Sequence, residues 1–453
     1  MSEHTDVQRA LEAAAAADDR AALWDALEPL RAHLTERRDV AALWVEALRT
    51  SPQRRSLLEE AEAVLDRWPG DPGLVGGACD ALIRAAERRP IDEPPLAEGP
   101  ASAAASGAAR CLGKLPAEAK ADPEIGGRLH ALRGNALSLL GPKRHADAVA
   151  ALERALALDP DRGQWLFDLG LAHKRARDFA ASLEATQRAR AALGDAKPVL
   201  WNLAIAATAL GRAALALEAW RALGLPASGR EGALPFVEGL EPAQIRLPTL
   251  GSGHAVGAAV PDEAAGFEIV WVQPLSPCHG VVRSPTFREA MADFGDVVLW
   301  DGAPASVARV DGRPVPRFPF LGVLRQGDER RFRFLAMQQR EGQVEALGED
   351  LPEGAILYRL GERVETVCPR CAAGDTLVKH DHLPAEEHRV AFGKLVLPAS
   401  LPLADFARAL DEARARHPGV LLAVPGLYEA LGDTPQAGKH HKRWGTIERV
   451  SSP

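Results

Sequence analysis

From residue 5 to about residue 225 the chain is rich in Ala, Leu, Arg and Glu, and its apolar positions recur at helical spacing. Turn-type pairs break this texture at Ser51-Pro52, Asp71-Pro72, Asp122-Pro123 and Asp159-Pro160. An Asp-Pro pair suits a helix start, because Asp can cap the first amides and Pro is tolerated at the first helical position. After Leu225-Pro226 the pattern changes to period two, with more Gly, Pro and Val. Strands are expected at Gly266–Val272, where Phe267, Ile269 and Trp271 share a face, and at Asp296–Trp300, Ala355–Val367 and Val390–Leu397. Arg331-Phe332-Arg333-Phe334-Leu335 alternates strictly, which predicts a strand with one buried face and one basic face. Two helices are expected here. One starts at Ser284-Pro285, presents Phe287, Met291 and Phe294, and stops at Gly295; the other runs from Ser400 to Arg416 and presents Leu403, Phe406 and Leu410.

Within the helical half a period emerges between residues 128 and 225. Ala148, Ser182 and Ala216 are 34 apart, as are Ala155, Ala189 and Leu223, and Leu152, Thr186 and Trp220. Gly134, Gly170 and Ala204 line up at steps of 36 and 34, the longer step fitting the turn at Gly141-Pro142-Lys143-Arg144. Small residues at these points let paired helices approach closely, and the larger ones fill the groove to the next pair. The stretches Leu132-Arg133-Gly134-Asn135-Ala136-Leu137, Ala155-Leu156-Ala157-Leu158-Asp159-Pro160, Asp178-Phe179-Ala180-Ala181-Ser182-Leu183 and Leu200-Trp201-Asn202-Leu203-Ala204 resemble tetratricopeptide repeats (TPR) in order as well as period. Ala204 replaces the usual glycine, and Gly194 stands where the second repeat would end in proline.

The fold class expected is multidomain: an all-α TPR-like solenoid followed by an α+β domain with a mainly antiparallel sheet. Residues 1–127 read as degenerate repeats or a helical cap, with a break at Pro90–Pro100; 128–225 as TPR-like repeats; 226–453 as the α+β domain. The resemblance implies protein binding in a groove lined by the first helices. It makes Asn135, Phe167, Leu171, Lys174, Trp201 and Ile205 the candidate partner-binding residues. Taken alone, Lys174 and Arg175 read as a solvated face, and a solenoid can also be a plain spacer. Asn135 and Asn202 sit near the positions with which TPR domains clamp acidic C-terminal peptides, but Ala131 and Pro198 stand where lysines are expected, which disfavours that partner class.

Composition sharpens the division. Of 23 aromatic residues, eight lie in residues 1–225 and fifteen in 226–453. The net charge of −8 argues against a nucleic-acid protein. Five cysteines cannot build a disulfide framework, the N-terminus lacks a signal-peptide pattern, and no apolar run reaches the roughly 20 residues of a spanning helix, so a cytoplasmic location is expected.

Chemistry concentrates in the second half. Cys368-Pro369-Arg370-Cys371 is a thiol pair able to grip one tetrahedral metal, and His380 and His382 follow it. This set could hold a structural zinc; free thiols and a redox pair are the alternatives. Cys278-His279 could add ligands, or mark the active site of an enzyme for which the solenoid is a docking arm. No Gly-x-Ser-x-Gly or phosphate-binding loop is present. Asp296, Asp301 and Glu341 are acids of the kind usually found on surfaces, and Lys439–Trp444 reads as a solvated tail. The leading expectation is a cytoplasmic interaction scaffold whose C-terminal domain adds a second binding module.

Overall fold

A computed structural model describes residues 8–9, 12–13, 20–50, 56–87, 100–123, 125–229, 233–250, 266–367 and 386–450. The helices of the first half are α1 (Arg20–Leu27), α2 (Arg38–Thr50), α3 (Leu57–Arg67), α4 (Pro72–Glu87), α5 (Pro100–Lys114), α6 (Ala117–Ala121), α7 (Ile125–Ser138), α8 (His145–Leu158), α9 (Gly163–Arg175), α10 (Phe179–Leu193), α11 (Lys197–Ala209) and α12 (Ala213–Ala222). The Asp-Pro signals act as expected at two sites. Asp71 Oδ1 accepts from the amides of Gly73 and Leu74 at the start of α4, and Asp122 Oδ1 accepts from Ile125 at the start of α7. At Asp159-Pro160 the pair instead closes α8 and α9 begins three residues later, at Gly163. The expected break at 90–99 lies outside the described residues, while Pro100 opens α5.

The periodic small residues sit where helices touch. A Cβ on Gly134 would lie 2.5 Å from Leu152 Cγ, and one on Gly170 2.6 Å from Thr186 Oγ1. Ser182 is fully buried and donates to the Gly170 carbonyl at 2.8 Å. Ala204 is also fully buried, so a methyl is tolerated at the third copy of the glycine position. Within each repeat the first helix therefore packs on the second by close approach, α7 on α8 and α9 on α10, rather than by large side chains. Residues 20–87 and 100–123 share one apolar core with α7 and α8, through Trp44, Leu82, Leu112, Leu137 and Ala148. These N-terminal helices are continuous in packing with the periodic repeats.

The strands are β1 (Ala227–Ser228), β2 (Phe236–Val237), β3 (Ala243–Pro248), β4 (Phe267–Ser276), β5 (His279–Val282), β6 (Val297–Trp300), β7 (Ser306–Val310), β8 (Arg313–Arg325), β9 (Arg330–Gln338), β10 (Ile356–Val367), β11 (Glu386–Leu397) and β12 (Val420–Ala423). They form a two-stranded sheet, a six-stranded sheet in the order β3-β4-β5-β6-β8-β7 with β3 also paired to β8, and a four-stranded sheet in the order β10-β11-β9-β12. The four-stranded sheet is antiparallel throughout. The β7–β8 hairpin turns on Asp311-Gly312, both at positive φ (49° and 77°), as a two-residue turn with Asp-Gly requires.

By compactness the chain divides into one unit of residues 1–243, 274–279 and 299–322, and another of 244–273, 280–298 and 323–453. Composition places a boundary near residue 226, where the helices end. The compact unit built on the helices nonetheless recruits two later segments. In the second unit the four-stranded sheet is covered on both faces. Phe334, Ala336 and Leu395 pack with α13 (Gln343–Glu349), α14 (Leu403–Arg416) and α15 (Pro425–Ala430), while Leu335, Met337 and Val390 pack with Ile447 and Trp444 of α16 (Thr434–Val450).

On β4, Phe267, Ile269 and Trp271 share a face as expected; the deeply buried face is the other one, Val270 and Val272, and Phe267 is 47% exposed. One expectation is corrected here. No helix forms at 284–294. The backbone amides there are taken by acids and by β3 instead: Phe287 and Arg288 donate to Glu268, Thr286 and Phe294 to Asp293, and Met291 to the Pro248 carbonyl. Local carboxylates thus outcompete a helical ladder whose apolar spacing was correct.

Candidate functional site

The repeat register places Ala131, Phe167 and Trp201 at equivalent points of α7, α9 and α11, likewise Asn135, Leu171 and Ile205, and likewise Ser138, Lys174 and Thr208. These residues define one face of the first helices, and in the first unit part of that face is occupied by the unit's own later segments. Lys174 is the centre of the contact. Although it was expected on a solvated face, its side chain is only 5% exposed, and Nζ meets Asp301 Oδ2 at 2.9 Å and Asn202 Oδ1 at 2.9 Å. The burial follows from Asp301, which lies 127 residues away in sequence and whose Oδ1 also accepts from the Ala303 amide. Arg177, at φ 64° in the turn before α10, donates to the Phe320 carbonyl.

The remaining candidates divide between this contact and the open part of the face. Trp201 is half-buried: its ring stands edge-on to Trp220 at 4.9 Å, and a Cβ on Gly302 would lie 2.8 Å from it. Only glycine fits beneath that indole. Ile205 is 1% exposed and belongs to the packing between helices. Phe167 and Leu171 are half-buried. Asn135 donates to Asp168 Oδ2 at 2.9 Å and Gln164 donates to Oδ1 at 3.0 Å. Burial pushes the Asp168 carboxyl up to about 6, against the lowering effect of those two donors. Periodicity gives no sign of Asp168, nor of Asn202 and Asp301 as the partners of Lys174. Only the step of 34 from Asp168 to Asn202 hinted at a polar row along this face.

Cys278 and His279 belong to the same unit, and both are buried against Ser276. Cys278 is fully buried, and burial pushes its thiol up to about 12, opposed by hydrogen bonds with the Ser276 and Thr208 hydroxyls. A thiol so held is protonated at neutral pH. His279 is 2% exposed, pushed down to about 4 by burial, and its Nδ1 lies 2.5 Å from Ser276 Oγ. The acids are likewise engaged. Asp296 is 5% exposed and pairs with Arg331 at 2.8 Å, Asp301 pairs with Lys174, and Glu341 forms an exposed pair with Arg389. Asp296 is therefore a buried counter-ion rather than a surface acid.

Cys368, Cys371, His380 and His382 lie outside the described residues. Among the described residues, no three His, Cys, Asp or Glu side chains are grouped to hold a metal. The segment Lys439–Trp444 is not a tail but part of α16. His440 is 2% exposed, accepts the Val424 amide on Nδ1 at 2.9 Å, and stacks near Tyr428. Burial and the neighbouring Arg443, Arg414 and Lys439 push His440 down to about 3.

No family model and no curated protein matches the chain. Among solved structures it is similar to the MamA RS-1 ArsTM double mutant, at 16% identity over 41% of this chain and 93% of that one, with a TM-score of 0.29. It is equally similar to MamA from residue 41 to its end from Desulfovibrio magneticus RS-1, at 16% identity over 41% and 92%, TM-score 0.29. The APC/C hetero-tetramer Cut9–Hcn1 matches at 15% identity over 45% of this chain and 34% of that one, TM-score 0.30. Scores this low leave function to the residues themselves. Among the described residues no helix is long and apolar enough to cross a membrane.

Proposed function

We propose that this chain is a protein-interaction scaffold: a TPR-like solenoid offers its first-helix face to a partner peptide, and the second unit adds another binding module. The observation that carries the reading is the contact already made on that face. Lys174 and Trp201 hold the bend at Asp301-Gly302 through a buried ion pair and a glycine-width contact, and Arg177 beside them holds the Phe320 carbonyl of β8. A helical face that holds one bend of backbone by charge and shape can hold a partner's backbone in the same way. Asn135, Phe167 and Leu171 continue the face toward α7, and they are where a partner would seat.

The same reading gives the connection between β10 and β11 a bound zinc on Cys368, Cys371, His380 and His382. Its support is that the two strands pair out to Val367 and Glu386, so the ends of that connection are held side by side.

The test is photo-crosslinking in the full chain within its native cells, with the probe amino acid at Leu171 and, as a control on a second helix, at Arg188. A defined partner captured at Leu171 and absent at Arg188 is expected. Identical adduct patterns at both positions, or none at Leu171, would sink the proposal.

A further inference from the structure

In the second unit, the strand read from sequence as having one basic face fulfils that pattern. Phe332 and Phe334 turn into the core beneath α14, and Arg331 and Arg333 stand on the opposite face of β9. Across the sheet Arg333 lies directly opposite Lys394 of β11. Like charges in register on neighbouring strands destabilise a sheet, so each needs an anion nearby. Lys394, 7% exposed, has one: its Nζ bonds the Asp293 carboxylate and donates to Thr286 Oγ1 at 3.0 Å. Arg331 has Asp296. The Arg333 guanidinium is exposed and has no partner among the described residues, and the same holds for that of Arg288.

Both arginines line one cavity of about 590 Å³, together with Phe287, Met291 and Lys394; the acids Glu289, Asp293, Asp296 and Glu329 line it too, of which Asp293 is paired with Lys394 and Asp296 with Arg331. Arg333, Phe287 and Lys394 also line a smaller adjoining cavity of about 220 Å³, whose wall adds Phe392 and Trp444. Phe287 is 42% exposed and its ring meets Phe392 at 5.1 Å, so an aromatic pair stands beside the unpaired cation. Glu268 accepts the successive amides of Phe287 and Arg288, which fixes the backbone that carries both side chains.

We propose that this cleft binds a small organic anion with a flat ring, an aryl phosphate or aryl carboxylate, its head on Arg333 and Arg288 and its ring against Phe287 and Phe392. The volume suits a single small molecule. A planar guanidinium favours two-pronged binding of phosphate or carboxylate. Lys394 is neutralised by Asp293, so Arg333 is the member of the in-register pair left without an anion, and an incoming one supplies it, as expected where a sequence breaks a pairing rule at a binding site.

The test uses the full chain and three probes, phenyl phosphate, benzoate and inorganic phosphate, followed by calorimetry. Phenyl phosphate or benzoate should bind saturably, and R333Q and R288Q should each weaken binding about tenfold. R325Q, at another exposed arginine, should leave it unchanged. Without ligand, R333Q should raise the melting temperature by about 1–3 °C, because it removes the like-charge pair. A merely structural Arg333 would lower it. No binding up to about 5 mM, equal binding by all variants, or inorganic phosphate binding as tightly as phenyl phosphate would overturn the proposal.

Discussion

Replacing Asp301 by Asn would leave the Lys174 ammonium, 5% exposed, without its counter-charge, facing amide oxygens alone. Removing one member of a buried ion pair costs about 3–5 kcal/mol, because the surviving charge stays desolvated. Asp301 is itself 18% exposed, so water screens part of the pair and about 2–3 kcal/mol is the reasoned loss. The loss should appear where Asp301 anchors the segment: at the amides of Trp300, Asp301 and Ala305, which bond the carbonyls of Cys278, Pro319 and Arg317. Local opening easier by that amount speeds hydrogen exchange there roughly 30- to 150-fold. Native-state exchange read by mass spectrometry measures this without assuming that a two-unit chain unfolds in one step. Adding K174M removes the stranded charge, and the double variant should regain at least about 1 kcal/mol of protection. If D301N changes exchange at 299–305 less than about threefold, or the double variant recovers nothing, Lys174 and Asp301 do not form the anchor described.

Two further outcomes follow from buried histidine and from the cysteine pair. His440 is held neutral with its pKa lowered to about 3 against an ordinary 6.5, so the unfolded chain binds its proton first as pH falls. Stability is full above pH 6.5 and is lost downward toward pH 3, by about 1.4 kcal/mol per pH unit from this group. An NMR titration should show the His440 ring unchanged between pH 7 and 5, and a midpoint near 6.5 would contradict its burial. For the cysteines, purified protein should carry one tightly held zinc by elemental analysis, lost in C368S. Zinc retained in that variant would remove the site assigned to Cys368, Cys371, His380 and His382.

The helical half was legible because its determinants are local. A small residue every 34 positions is both the sequence signal and the packing contact, as Gly134 against Leu152 and Gly170 against Thr186 demonstrate. The basic face of β9 was legible for the same reason, since alternation along a strand dictates which side a residue takes. At Ser284–Gly295 helical spacing was present, yet Glu268 and Asp293 captured the amides, and both the distant acid and the loop geometry lie beyond what local period can show.

Candidate chemistry divides along the same line. Cys278 and His279 looked reactive by type, and burial made one a protonated thiol and the other a neutral ring. Lys174 looked solvated by its neighbours on α9, and an aspartate 127 residues on made it a buried anchor. By itself the sequence determined the helices, their period and the alternation of strands, all set by interactions within a few residues or between successive repeats. Tertiary structure alone decided which charges are paired, which face of the repeats is already filled, and that Arg333 is left beside Lys394 at a cavity mouth. Desolvation and Coulomb attraction act between residues brought together by the fold, and their partners carry no mark in the chain's local order.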